Sequence, residues 1–241
     1  MKKLVTAFAA CALAGLVNAQ VESVNIVGYQ TLSLPTGYKM TTSTFVPVGS
    51  AGTDLRLGDI VPNGSFDYFA GDNVQFFAIN GDGTVSSTVS YMANYGWFDF
   101  NNPSVMVDDM TIPAGTGMFV YTSGTGVEFL VSGEVKVDSF ALLPSAGYTV
   151  VGNSTPVAIT LSDIVPNAQF DYFSGDNIQF FNPDGSGTVS ITASYMTGYG
   201  WFDFNNPSVM LDDTVLNPGD SCFAYVSNAG VSFTFPGITI N

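Results

Sequence analysis

Apolar positions fall in short runs rich in Val, Phe, Tyr and Thr: NVQFFAI (73–79), TVSSTVSYM (84–92), GMFVY (117–121) and GVEFLVSGEVKV (126–137). Gly, Asn, Asp or Pro interrupt them about every 8 to 12 residues. No stretch of a dozen residues sustains the i, i+3, i+4, i+7 stripe of an amphipathic helix; the nearest are single turns at DLRLGDIV (54–61) and TLSDIV (160–165). This texture predicts an all-β chain of antiparallel strands closing into sandwich-like or barrel-like bodies.

The pattern occurs twice. IVPNGSFDYFAGDNVQFF, from Ile60, returns as IVPNAQFDYFSGDNIQFF, from Ile164, at an offset of 104 residues. Between 60–110 and 164–214 there are 14 differences in 51 positions. Upstream, LPTGYKM at Leu34 answers LPSAGYTV at Leu143 with a small change of offset. Two tandem homologous β domains are therefore expected, over 20–137 and 138–241, each the size of one small domain. Ahead of them, MKKLVTAFAACALAGLVNA combines two lysines, an apolar run and a small-residue end at Ala19. That is the form of an export signal over 1–19, too short to span a bilayer, and it makes the mature chain secreted or held on the cell surface.

Removal of the leader sharpens the charge. Lys39, Arg56 and Lys136 then face twenty acids, a net −17 against −15 for the whole chain. Nucleic acid is excluded as a partner, since nothing neutralises phosphates. An extracellular protein or a glycan is the expected partner class, and no later segment is apolar enough to span a membrane. Cys11 leaves with the signal, so Cys222 is alone; the equivalent residue is Met118, which reads as an apolar core position.

The chain has no histidine, which removes Ser-His-Asp and Cys-His catalysis and imidazole-ligated zinc. It also lacks a phosphate-cradling glycine loop between a strand and a helix. Any catalysis falls to carboxylates. The motif GWFDFNNPSVMVDD (96–109), repeated as GWFDFNNPSVMLDD (200–213), ends in paired aspartates. Asp108, Asp109, Asp212 and Asp213 are the candidates for a symmetric aspartic-peptidase-type dyad, although the Asp-Thr-Gly and Asp-Ser-Gly tripeptides of that chemistry are absent. Trp97 and Trp201 with Tyr95 and Tyr199, flanked by Tyr91 and Tyr195, are candidates for a sugar-binding platform or for core.

Calcium is the one cofactor the composition suggests. INGDGTVSS (79–87) looks like a calcium loop, but a glycine-six alignment places Ala78 and Val89 at its ends in the first copy, and Asn182 and Ala193 in the second. A hairpin turn is the better reading, leaving Asp67, Asp72, Asp99, Asp171, Asp176 and Asp203 as candidate oxygen ligands of another kind. Asp99 and Asp203 are equally placed to cap the Asn-Asn-Pro turn that follows them.

The order LPTGY (Leu34), GW (Gly96), IPAGTGMFVY (Ile112) and VEFLVSGEV (Val127) is similar to a family of secreted bacterial β-modules common in verrucomicrobial-type genomes. Their pattern has an LPxGxN-like opening, a mid-module GW, a PGxGFFV-like turn and strand, and a closing TFxGEV. Both copies carry it; the second departs at NPGDSCFAY and at FPGITI, where the closing GEV is missing. The resemblance implies export and a β fold, and it carries no catalytic residue. A non-catalytic surface, matrix or binding module is thus the leading expectation, with a carboxylate hydrolase and a carbohydrate-binding module as alternatives.

Overall fold

The computed structural model describes residues 27–46, 55–77, 85–113, 115–135, 139–144 and 146–237. The leader, the 136–138 seam and the first-copy turn at 78–84 lie outside them. The fold is all-β. In the first copy the strands are β1 (Val27–Leu34), β2 (Gly37–Thr41), β3 (Phe45–Val46), β4 (Leu55–Arg56), β5 (Ile60–Pro62), β6 (Asn73–Phe77), β7 (Val85–Met92), β8 (Gly96–Asp99), β9 (Asn102–Met106), β10 (Thr111–Ile112), β11 (Met118–Thr122) and β12 (Val127–Val135). The second copy contributes β13 (Phe140–Leu142), β14 (Gly147–Gly152), β15 (Ile159–Thr160), β16 (Val165–Pro166), β17 (Asn177–Phe181), β18 (Val189–Met196), β19 (Gly200–Asp203), β20 (Asn206–Met210), β21 (Val215–Leu216), β22 (Ser221–Val226) and β23 (Phe233–Phe235). The two expected helical turns are single 3-10 turns at Leu57–Asp59 and Leu161–Asp163.

Each copy stacks a large antiparallel sheet on a smaller one. The large sheets have the orders β2-β11-β6-β7-β8-β9 and β14-β22-β17-β18-β19-β20, strand for strand equivalent. The smaller layers are β1-β12-β3 with β5 on β12, and β13-β23-β16. Period-two alternation explains the layering: in β12, Val127, Phe129 and Val131 face inward while Glu128, Leu130 and Ser132 face water. Around them gather Leu57, Ile60, Val74, Trp97, Met118 and Val120; in the second copy Leu161, Ile164, Ile178, Trp201, Cys222 and Phe233 do the same. Cys222 and Met118 are both buried core residues, as their exchange predicts. Among the described residues no helix is long and apolar enough to cross a membrane.

The copies meet through a pseudo-twofold junction. Thr42 N–H donates to Gly219 O at 3.0 Å, and its counterpart Gly152 N–H donates to Gly115 O at 2.9 Å. The bridges Thr41↔Asp220 and Thr116↔Val151 are related in the same way. Beside them the outer faces of the large sheets pack Met40, Phe77 and Phe119 onto Val150, Phe181 and Phe223. Phe77 and Phe223 lie edge to face at 4.7 Å, and Phe119 and Phe181 at 5.8 Å. Overlap is reversed, β2 approaching β22 and β14 approaching β6, so β7-β8-β9 and β18-β19-β20 run out to opposite sides.

Candidate functional site

The repeated motif builds the same surface in each copy. In β8 consecutive residues point to opposite faces. Trp97 enters the sandwich core, fully buried, and donates its indole N–H to Ile60 O at 2.8 Å. Trp201 does the same with Ile164 O at 2.9 Å. Their rings also meet Tyr91 and Tyr195 at 5.4 Å. This corrects the expectation of a tryptophan platform: a ring with no exposed face cannot stack on a ligand, and the indoles belong to the core.

Phe98 and Phe202 turn to the outer face, where other aromatic rings cover them. Tyr68 crosses Phe98 edge-on at 5.0 Å and Tyr95 does so at 5.7 Å, while Phe100 stands against Tyr68 at 5.4 Å. Tyr172, Tyr199 and Phe204 repeat this around Phe202 at 5.1 to 5.6 Å. Tyr95 and Tyr199 remain half exposed and donate their hydroxyls to Pro103 O and Pro207 O, tying the patch to the edge strands β9 and β20. All five residues of each edge strand are exposed.

At the crest stand Phe69 and Phe173, 82% and 83% exposed. Each sits in a one-turn 3-10 helix, Tyr68–Ala70 and Tyr172–Ser174, closed by a left-handed glycine, Gly71 or Gly175. Asp67 caps the first turn by accepting Phe69 N–H at 2.9 Å. Buried Asp72 fastens the loop to the sheet: its Oδ2 accepts Asp67 N–H, and its Oδ1 accepts both Ser123 N–H and Ser123 Oγ–H at 2.6 to 2.7 Å. Asp171 and Asp176 repeat the arrangement through Phe173, Ser227 and Asp171 N–H. Sequence reasoning missed these phenylalanines. Their signal was an aromatic pair inside an Asp-capped, Gly-terminated turn, repeated as DYFAGD and DYFSGD, where an apolar residue has no core to enter.

Asp67, Asp72 and Asp99, with their equivalents Asp171, Asp176 and Asp203, each have a backbone task. Asp99 accepts from Asn101 and Asn102 N–H at 2.8 and 2.9 Å, and Asp203 from Asn205 and Asn206 N–H at 2.7 and 3.0 Å, capping the Asn-Asn-Pro turns as the sequence predicts. Among the described residues no three His, Cys, Asp or Glu side chains come together to hold a metal. This corrects the expectation that Asp67, Asp72 and Asp99, or Asp171, Asp176 and Asp203, share an ion; their oxygens point at separate amides. The second-copy glycine loop is a hairpin turn in which Asp184 accepts Ser186 N–H at 2.9 Å. The Ser186 hydroxyl and N–H hold the Asp184 carboxyl below its ordinary value.

The carboxylates proposed as a dyad do not converge. Asp108 accepts Trp97 N–H at 3.0 Å, and Asp212 accepts Trp201 N–H at the same distance, each inside its own copy. Asp109 and Asp213 are exposed, Asp109 lying 3.7 Å from Arg56. With β8 three strands from β11 and β19 three from β22, the two pairs stand roughly 30 Å apart at ~4.8 Å per strand. Comparisons with protein-family models, with curated proteins and with solved structures give no match.

Proposed function

We propose that this chain is an exported, acidic, non-catalytic binding module of the cell surface or extracellular matrix that engages a protein partner at each of its two ends. The observation that carries this reading is the repetition of Phe69 and Phe173 as exposed phenylalanines on fastened turns, at opposite sides of one body. An apolar ring left in water is costly unless something covers it, and rigid exposed aromatics are the usual anchors of protein interfaces. Here the turn, the cap and the buried aspartate hold the ring in its exposed position, so little ordering entropy opposes docking. The apolar leader and the resemblance to secreted β-modules support export. The separation of the two aspartate pairs, with Asp108 and Asp212 each capping a backbone N–H inside its own copy, supports a non-catalytic reading.

Two equivalent faces also imply avidity. Simultaneous engagement strengthens binding by about 10²- to 10⁴-fold over one face when geometry allows both. The test is retention on washed producing cells. Wild-type chain stays with the cells, Phe69→Ala or Phe173→Ala loosens it, and the double substitution releases it to the medium. Retention of the double variant at the wild-type level would overturn the proposal.

A further inference from the structure

β9 and β20 end the two large sheets, and among the described residues no strand pairs with the outer side of either. All five residues of each are exposed. A sheet edge of this kind offers unpaired backbone groups that a further strand can take. Two observations identify that strand as the opposite end of a second copy of this chain.

The first is where the repeat drifts and where it holds. Val74, Val89, Met118 and Val120 are buried core residues, yet the 104-residue offset puts Ile178, Ala193, Cys222 and Ala224 in their places. The exposed residues Phe69, Tyr95 and 101–106 are by contrast identical to Phe173, Tyr199 and 205–210. Exchanges at exposed positions usually change stability by no more than about 0.5 kcal/mol, so folding does not hold this surface fixed. Contact between the two ends of different chains does hold it, because a change at one end must then suit the other.

The second is charge. No residue in 100–107 or 204–211 is charged, so two such edges approach without like charges meeting, although the chain as a whole carries −15. Beside the edges the two ends differ. Arg56 stands 3.7 Å from Asp109 just beyond β9. In the second copy Thr160 takes the place of Arg56, and Asp213 has no cation among the described residues. A cation at one end and none at the other favours contact between unlike ends over contact between like ones.

We infer that this chain assembles head to tail, β9 of one chain against β20 of the next. The inference rests on the reading of the two ends as binding faces and names their partner. Pro103 has no N–H to offer and its carbonyl already takes the Tyr95 hydroxyl, so pairing runs over 104–106 and 208–210, with the phenylalanine crests beside it. So short a contact falls below the roughly 20–30 residues a side of a stable interface, and the assembly is reversible and grows with concentration. Because the edges lie on opposite sides of the body, each added chain leaves a free end, and the product is an open row rather than a closed dimer.

The experiment is analytical ultracentrifugation of the purified chain over a concentration series, with two single substitutions at exposed edge residues, Val105→Glu and Val209→Glu. Wild type should pass from monomer through dimer to longer species as concentration rises. Each variant has one end blocked and should remain monomeric, since its surviving end meets only its own kind. An equimolar mixture of the two should form dimers and nothing longer, which also shows that both variants are folded. Wild type that stays monomeric at every concentration, single variants that assemble alone, or a mixture that stays monomeric would overturn the inference. Monomeric wild type with loss of the Phe69→Ala/Phe173→Ala chain from cells would leave the two ends as faces for a different protein. Assembly in solution with full retention of that variant on cells would overturn the cell-surface reading and not this one.

Discussion

Tyr38 and Gly185, in different copies, are joined backbone to backbone: Tyr38 N–H donates to Gly185 O at 2.9 Å. Gly185 is buried with φ +78°, and a side chain there would run into Thr36 O. Replacing Gly185 with Ala therefore adds left-handed strain to a collision with a carbonyl, a combination worth at least about 1–3 kcal/mol. The loss should fall on the junction, because the hairpin tip must withdraw from Tyr38. Calorimetry should show a lowered midpoint and a transition that splits as the copies uncouple. Gly175→Ala, also left-handed at φ +89° but with open space around it, should lower the midpoint less and keep a single transition. Equal effects from the two substitutions would refute the contact's role.

The same hairpin should respond to acid. The Ser186 hydroxyl, then the Ser186 N–H, holds the Asp184 carboxyl below its model-compound value of 3.8. A depressed folded value means that the ionised carboxylate lends stability above 3.8, and that this stability is lost as pH falls through the lower folded value. The difference in thermal midpoint between wild type and Asp184→Asn should be largest near neutral pH and shrink as the solution is acidified below 3.8. A difference that stays constant through that range would show that the capped turn does not depend on the charge.

Much of this fold is legible in the chain because its strands are runs of β-branched and aromatic residues cut by turn residues at short, regular intervals. The described parts of NVQFFAI, TVSSTVSYM, GMFVY and GVEFLVSGEVKV become β6, β7, β11 and β12, each strand beginning within one residue of its run, and the Asn-Asn-Pro turn takes its cap from Asp99 as read. The aromatic motif was harder, since composition does not say which of Trp97 and Phe98 faces inward. That depends on which neighbour offers a partner: Ile60 O receives the indole N–H, and Tyr68 and Tyr95 close over the phenyl ring. The junction was beyond reach for another reason. Its hydrogen bonds join Thr42 to Gly219 and Tyr38 to Gly185 through backbone atoms, and a backbone carbonyl leaves no mark on residue type.

Cys222 should be inert in the folded protein. It is buried among Val151, Trp201, Leu216 and Phe233, beside a void of about 10 Å³, and this burial pushes the thiol well above its ordinary range. A raised value keeps the thiol protonated at every ordinary pH, so no thiolate forms to attack a reagent. Disulfide-exchange reagents should label it only at the rate of unfolding, and fully in denaturant. Rapid labelling of native chain would show that this core opens.

The patch aspartates should prove to be structural. Asp108 and Asp212 each accept a backbone N–H at the head of a core strand, and an asparagine in their place still presents an oxygen to that amide. Asp108→Asn with Asp212→Asn should therefore cost less than about 1 kcal/mol per copy, whereas Asp108→Ala leaves Trp97 N–H short of its acceptor and should cost about 1–3 kcal/mol. Asp109 and Asp213 are exposed and should be replaceable at almost no cost in stability. A peptidase dyad predicts the reverse pattern, in which conservative Asn substitutions abolish activity with the fold intact. Incubation with casein across acid pH should show no hydrolysis by wild type or by the quadruple Asn variant. Hydrolysis by wild type that disappears in that variant and under pepstatin would sink the non-catalytic reading, because two carboxylates in separate copies would then have to meet between two whole chains.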